Sequence, residues 1–87
     1  MRLRELQWDA GNIEHIARHG VSPEEAEEAC RIAPKVRRAR LGRHLVLGRT
    51  EEGRYLAIVV IYGGAGAGRV ITARDMTDRE RAIYRRK

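Results

Sequence analysis

The spacing of apolar residues divides the chain into a helical first part and a strand-rich second part. Near the N-terminus, Ile13, Ile16 and Ala17 recur at the three- and four-residue spacing of one helix face. Asp9 is suited to cap the start of this helix, and Gly20 is suited to the left-handed position that follows a helix end. The pattern therefore predicts a first helix that runs to about residue 19.

A second helix is predicted to begin directly after residue 22. Ser22 and Glu25 have the spacing of a capping box, and Pro23 fits the first helical position. One face of this helix carries small apolar residues, namely Ala26, Ala29, Cys30 and Ala33. Pro34 marks its end. On this face Cys30 is expected to be an inert core residue.

From residue 35 onward the apolar period changes to two, which is typical of strands. The predicted strands cover residues 35–41, 43–49, 54–62 and 69–73, with a hairpin turn at 50–53 and a glycine-rich connection at 63–68. Residues 56–61 are apolar at every position, so we expect this strand to be central and covered on both faces.

Two further elements complete the prediction. A short edge strand is expected around residues 3–8, and Thr77 with Glu80 forms a second capping box that opens a C-terminal helix. The chain of 87 residues is long enough for one domain, residues 1–87. The predicted fold class is α+β, with a small antiparallel sheet flanked by two N-terminal helices and one C-terminal helix.

Charge points to a phosphate-bearing partner. Residues 1–34 carry four arginines and seven acidic residues, whereas residues 35–87 carry fourteen basic and five acidic residues. Sixteen of the eighteen basic residues are arginines, whose guanidinium groups bind phosphate bidentately. Arginine richness can also follow from genome composition, but the asymmetry favours nucleic acid. The N-terminus lacks a signal peptide and no apolar run is long enough to span a membrane, so we expect a cytoplasmic protein.

Short motifs spread in order along nearly the whole chain carry a resemblance. They are Trp8-Asp9, Asn12, His19-Gly20-Val21-Ser22, Glu24-Glu25-Ala26, Gly48-Arg49-Thr50, Ile71-Thr72-Ala73-Arg74, Met76-Thr77, Arg79-Glu80 and Tyr84. With these motifs the chain resembles the BrnT family, the toxins of type II toxin–antitoxin systems. The resemblance implies a RelE-like ribonuclease fold and RNA cleavage that inhibits translation and growth. It also implies a hetero-oligomer with a BrnA-like antitoxin, whose ribbon-helix-helix part binds operator DNA.

Cleavage of RNA without a metal needs a base, an acid and a cation that stabilises the charged phosphorane. His15 is the first candidate for the base, and His19 follows one helical turn later. The alternative for His15 is a hydrogen bond to the sheet, and for His19 a favourable cation at a helix C-terminus. Their i,i+4 spacing also occurs in zinc sites, but a third ligand is not evident, so neither a metal nor another cofactor is expected.

Arginines at the strand ends are the candidates for phosphate binding. Arg49 and Arg74 are assigned to catalysis, whereas RNA binding is assigned to Arg43, Arg69 and Arg79. Arg69 and Arg74 have opposite parity in a regular strand, so both would not point into one pocket, and Arg74 is preferred over Arg69 for the catalytic site. Charged residues at sheet edges also prevent aggregation, and that role is the alternative.

The sequence thus predicts a metal-independent endoribonuclease toxin. A non-catalytic nucleic-acid-binding subunit of a DNA-bound repressor complex remains as the alternative, because binding and cleavage would use the same arginines. A third possibility is an interaction domain that does not bind RNA, which predicts no salt-sensitive affinity for nucleic acid. The acidic residues Glu24, Glu27 and Glu28 are a candidate surface for a basic antitoxin.

Overall fold

The computed structural model describes residues 3–86 and contains three helices and five strands in that range. In chain order the elements are β1 (Glu5–Gln7), α1 (Ala10–Ala17), α2 (Pro23–Arg31), β2 (Lys35–Arg38), β3 (Arg43–Arg49), β4 (Tyr55–Tyr62), β5 (Ala67–Asp75) and α3 (Asp78–Arg85). The radius of gyration is 11.7 Å. Within the described residues, no helix is long and apolar enough to cross a membrane.

All three helices begin at the capping residues that the sequence indicates. Asp9, Ser22 and Thr77 each accept a hydrogen bond from the backbone N–H three residues later, and each N3 side chain bonds back to the cap. Helix α1 ends at Ala17, two residues earlier than predicted, and Gly20 then takes the left-handed conformation with φ of 71°. Local side-chain chemistry therefore sets the helix starts.

The sheet has the strand order β1-β5-β4-β3-β2, so β4 is central as predicted. The four strands β2 to β5 pair antiparallel, and β1 pairs parallel with β5 at the edge. The predicted α+β fold is confirmed, with the difference that the first strand makes the sheet mixed.

Helices α1 and α2 cover one face of the sheet and enclose the main core. Its largest fully buried side chains include Ile16, Leu56, Ile58 and Val60. At Gly48 the backbone of β3 meets α2 so closely that a Cβ atom would lie 1.9 Å from the carbonyl oxygen of Ala29. Burial raises the pKa of the Cys30 thiol to about 12, in keeping with an inert residue on the packed face of α2.

Helix α3 covers only one end of the opposite face. Met76 packs there against Leu47 and Ala57 in a second, smaller core. Further along β4 the same face is open: Val59 is half-buried and Ile61 is 39% exposed. The prediction that β4 is covered on both faces is therefore wrong for this end, because α3 has eight residues and is too short to cover the strand.

Candidate functional site

The uncovered part of the sheet combines cationic and aliphatic side chains. Strand pairing places Arg37, Arg43, Leu45, Val59, Ile61, Arg69 and Thr72 on this surface, which we name the open face. Arg43 and Arg69 both pair with Ile61 and are therefore two strands apart, about 10 Å between Cα atoms. Two arginine side chains from these positions can converge on one phosphate.

A β-bulge in β5 decides which arginines reach the open face. Residues 70 and 72 pair with consecutive residues of β4, which leaves Ile71 as an extra residue. The extra residue resets the alternation of the strand. As a result, Arg69 and Arg74 lie on the same face, and the prediction that they point to opposite faces is wrong because it assumed a regular strand.

His15 reaches the rim of the open face from α1. Its Nε2 atom lies 3.2 Å from the hydroxyl oxygen of Thr72, so strand and helix meet at this pair. The ring of His19 stands edge-on to that of His15, with 5.6 Å between the centroids, and both side chains are exposed. Two imidazole rings thus lie at the rim of the open face, next to Thr72.

Arg69 is held by the start of the same helix. Its Nη1 atom donates a hydrogen bond to a carboxylate oxygen of Asp9, the N-cap of α1. This hydrogen bond, together with one from the backbone N–H of Asn12, lowers the pKa of Asp9. The Asn12 side chain is buried and donates to the carbonyl oxygen of Val70 at 3.1 Å. These contacts fix α1, and therefore His15, relative to Arg69.

Arg74 forms an ion pair with Glu80 near the start of α3. Its guanidinium donates two hydrogen bonds to the carboxylate of Glu80, at 2.6 and 2.9 Å. The pair raises the pKa of Arg74 and lowers that of Glu80. Because the Glu80 carboxylate also accepts a hydrogen bond from the backbone N–H of Thr77, the N-cap of α3, Arg74 attaches that helix to the sheet.

The remaining predicted residues are not all brought together. Arg43 belongs to the open face and forms no ion pair with any residue in the range 3–86. Arg49 lies six residues further along the same strand, which is about 20 Å away. It pairs with Tyr55, next to the small core under α3. Arg79 is exposed on α3.

The sequence did not single out Arg54, although this residue joins several elements. It bonds to the carbonyl oxygen of Gly20 at 2.7 Å and forms ion pairs with Glu25 and Asp75. The three contacts tie the turn between α1 and α2 to the end of β5. Only the tertiary structure brings these groups together, since at least 21 residues separate Arg54 from each partner.

Asp9 and Thr72 are site residues that sequence reasoning also missed. Both belong to the motifs that carry the family resemblance, but Asp9 was assigned only to helix capping and Thr72 to no role. Two of the three acidic residues proposed for partner binding have contacts within the chain: Glu27 accepts from the Trp8 indole, and Glu28 accepts from the backbone N–H of Glu51. Across residues 3–86, no three histidine, cysteine or acidic side chains gather as possible metal ligands.

Comparisons with known proteins place these features in context. The sequence profile of the family described as "Ribonuclease toxin, BrnT, of type II toxin-antitoxin system" matches residues 8–80. Among solved structures, the chain is similar to the ribonuclease toxin BrnT of Brucella abortus, with a TM-score of 0.68 and 22% identity over 84% of this chain and 96% of that chain. No curated protein matches the chain. At this low identity, the structural likeness supports the fold alone.

Proposed function

Because this chain belongs to the BrnT family of ribonuclease toxins from type II toxin–antitoxin systems, we propose that it is an endoribonuclease whose substrate binds at the open face. The observation that carries the proposal is the bulge at Ile71, which places Thr72 on the same face as Arg69, while the Thr72 hydroxyl lies 3.2 Å from Nε2 of His15. A cation for phosphate and a titratable ring for proton transfer are thereby held on two rigid elements.

In the proposed reaction, His15 accepts the proton of a ribose 2′-hydroxyl. The 2′-oxygen attacks the adjacent phosphorus while the bond from phosphorus to the 5′-oxygen breaks. The leaving oxygen takes a proton from His19, and the products are a 2′,3′-cyclic phosphate and a free 5′-hydroxyl. No metal takes part in this scheme, because the imidazoles supply the base and the acid.

The arginines have different roles in this proposal. Arg69 and Arg43 bind the phosphate and stabilise the additional negative charge of the phosphorane. Arg74 acts mainly by holding α3, since both Nη1 and Nη2 of its guanidinium donate to Glu80, whereas Arg69 donates to Asp9 through Nη1. Arg49 and Arg79 extend the cationic surface along which the RNA chain lies.

We further propose that cleavage inhibits translation and growth in the cytoplasm and that a BrnA-like ribbon-helix-helix antitoxin neutralises the activity. The family description names a type II system, in which the antitoxin is a protein. In the proposed hetero-oligomer the antitoxin binds operator DNA, so the toxin meets DNA only indirectly.

The test is cleavage of an end-labelled RNA by the purified, antitoxin-free chain in the presence of EDTA. We expect internal cuts that leave a 2′,3′-cyclic phosphate, and a loss of about 10²-fold or more for His15→Ala. Arg69→Ala is expected to lose more activity than Arg49→Ala, since Arg49 lies far from His15. Arg18→Ala is the matched control, because Arg18 is exposed at the C-terminal cap of α1 and, within residues 3–86, forms its ion pair with Glu14 alone.

Two results would contradict the proposal. Full activity of His15→Ala would exclude this residue as the base. RNA that is bound but left intact by the unmodified chain would favour the second candidate, a non-catalytic nucleic-acid-binding subunit. The ion pairs of Arg69 and Arg74 lower the positive charge available at the site. They do not remove the binding surface, so they are compatible with this second candidate.

A further inference from the structure

The edge strand β2 has an unpaired side that carries positive charge. Residues 29–50 contain seven arginines or lysines and no acidic residue. β2 pairs only with β3 in the described part of the chain. β2 itself carries Lys35, Arg37 and Arg38 and no acidic residue, so this edge strand is cationic.

The backbone of β2 also offers free hydrogen-bonding groups along this edge. Ala39 donates its N–H to the carbonyl oxygen of Arg43 at 2.8 Å, so these residues form a hydrogen-bonded pair. Such pairs alternate along an antiparallel ladder, which makes the pairs of Val36 and Arg38 non-hydrogen-bonded. The N–H and C=O groups of Val36 and Arg38 consequently point away from β3, where another strand can add.

The side chains of the same two residues line a cavity beside the edge. It measures about 450 Å³ and is lined by Val36, Arg38, His44 and Tyr62. The Nδ1 atom of His44 is buried and has no hydrogen-bond partner among residues 3–86. Val36 is 39% exposed, although it is an apolar residue. An acidic side chain in this cavity would pair with Arg38, and an apolar side chain two residues away on the same face of the added strand would cover Val36.

We propose that β2 binds an extended segment of the antitoxin in which an acidic and an apolar side chain, two residues apart, lie on the same face of the added strand. The segment adds as a strand to the free edge, and its side chains on one face enter the cavity next to Arg38 and His44. This inference rests on the toxin–antitoxin function proposed above. The binding edge is separate from the open face, because the Val36 and Arg38 side chains lie on the face of the sheet that α1 and α2 pack against.

The probe for the test is an eight-residue valine–glutamate peptide made of two Glu-Ser-Val-Ser repeats, which places glutamate and valine in turn on one face of a strand. Titration into the full chain, followed by NMR, is expected to shift the backbone amides of Val36 and Arg38. Arg38→Glu should weaken binding about five- to tenfold, because an attractive charge pair becomes a repulsive one. Arg18→Glu is the matched control, since it makes the same charge change on α1 and should alter the affinity less than twofold.

Two control peptides separate strand addition from general charge attraction. The same sequence with every amide N-methylated keeps its charge but has no N–H group with which to pair as a strand, and a valine–lysine peptide keeps the pattern with the opposite charge. Neither should bind. The proposal would be overturned if either control peptide bound as tightly as the probe, if the two arginine variants had equal effects on affinity, or if the β2 amides did not shift at millimolar peptide.

Two other roles of this edge give different results. If its charges serve only to prevent self-association, none of the peptides binds. If the edge is an RNA surface, single-stranded oligouridine shifts the same amides and the valine–glutamate peptide does not. RNA cleavage by Arg38→Glu is measured in parallel. Retained cleavage together with lost peptide binding supports the proposal. If the ribonuclease assignment is wrong, cleavage is absent while peptide binding is unaffected.

Discussion

At the scale of single residues, Thr72 controls how the imidazole of His15 is held. The hydroxyl of Thr72 is the group within hydrogen-bond distance of His15 Nε2, and the bulge at Ile71 is what directs it there. A hydroxyl that fixes a proposed base acts on the rate without contributing much to the core. Thr72 is therefore a positioning residue in this account.

Replacing the Thr72 hydroxyl should affect cleavage more than folding. For Thr72→Val, which keeps the shape of the side chain, we expect cleavage to fall about two- to tenfold, the equivalent of one lost hydrogen bond. Thr72→Ser restores the hydroxyl and should recover most of the rate. Steady-state cleavage kinetics and the melting temperature of both variants check this expectation. Equal rates for all three proteins would show that the contact has no part in the reaction.

At the scale of secondary-structure elements, Gly48 sets the distance between α2 and the sheet. A Cβ atom at this position would lie 1.9 Å from a carbonyl oxygen of α2, and backbone cannot move aside as a flexible side chain can. This explains why a glycine occupies the interior of a strand, where it is otherwise unfavourable.

The close approach at Gly48 predicts a large loss of stability on adding one methyl group. Gly48→Ala should lower the free energy of unfolding by at least about 2 kcal/mol, as overpacking of a tight contact does. Gly63→Ala is the matched control, because its nearest neighbouring atom would be 4.0 Å away. Urea denaturation of both variants measures the difference. A Gly48→Ala protein as stable as Gly63→Ala would contradict the packing described for α2.

The attachment of α3 to β5 should depend on pH. In the folded chain the Arg74 guanidinium lowers the pKa of Glu80 below the ordinary glutamate value of about 4.3. The pair therefore stabilises the fold at neutral pH, and this contribution is lost as acidification protonates Glu80. Glu80→Gln should cost about 1 kcal/mol at pH 7 and less at pH 3. Urea titrations at both pH values check the sign; a cost that grows toward pH 3 would contradict it.

Sequence reasoning succeeded where an element is specified by its own residues. The capping residues Asp9, Ser22 and Thr77 identify the helix starts, and the alternation over Arg43–Arg49 gives the bounds of β3. Sequence reasoning failed where an element is determined by contacts with residues far along the chain. The bulge in β5, the parallel pairing of β1 and the incomplete cover by α3 depend on strand register and helix placement, which a local pattern does not encode.

The candidate site was only partly predictable for the same reason. Residue type and motif identified His15 and the arginines as functional candidates. Their grouping required the register of β5, which places Thr72, the contact of His15, on the same face as Arg69. The carboxylate partners of Arg69 and Arg74 were also not predicted, because Asp9 and Glu80 had already been assigned to helix capping.

At the scale of the whole molecule, charge is sorted between the two faces of the sheet. The open face carries Arg37, Arg43 and Arg69, whereas the exposed acidic residues of α2 lie on the opposite side. Such an arrangement orients an approaching polyanion toward one face and away from the other.

The affinity for single-stranded RNA should accordingly fall with salt. Three phosphate contacts give a slope of about −2 in a plot of log K against log salt concentration. Arg43→Gln should make this slope less steep by about 0.7, the share of one phosphate contact. Arg18→Gln, on α1, should leave it unchanged. Fluorescence anisotropy with a non-cleavable RNA across a salt series measures both slopes, and identical slopes for the two variants would remove Arg43 from the binding surface.

The central claim is that RNA is bound and cleaved on the open face of the sheet. The most direct measurement is NMR titration of the full chain with a short RNA whose 2′-hydroxyls are methylated, so that it binds without being cut. The account predicts shifts at the backbone amides of Arg69, Thr72 and Val59 and at the ring of His15. Shifts confined to α2 and the β2 edge, with the open face unchanged, would contradict it.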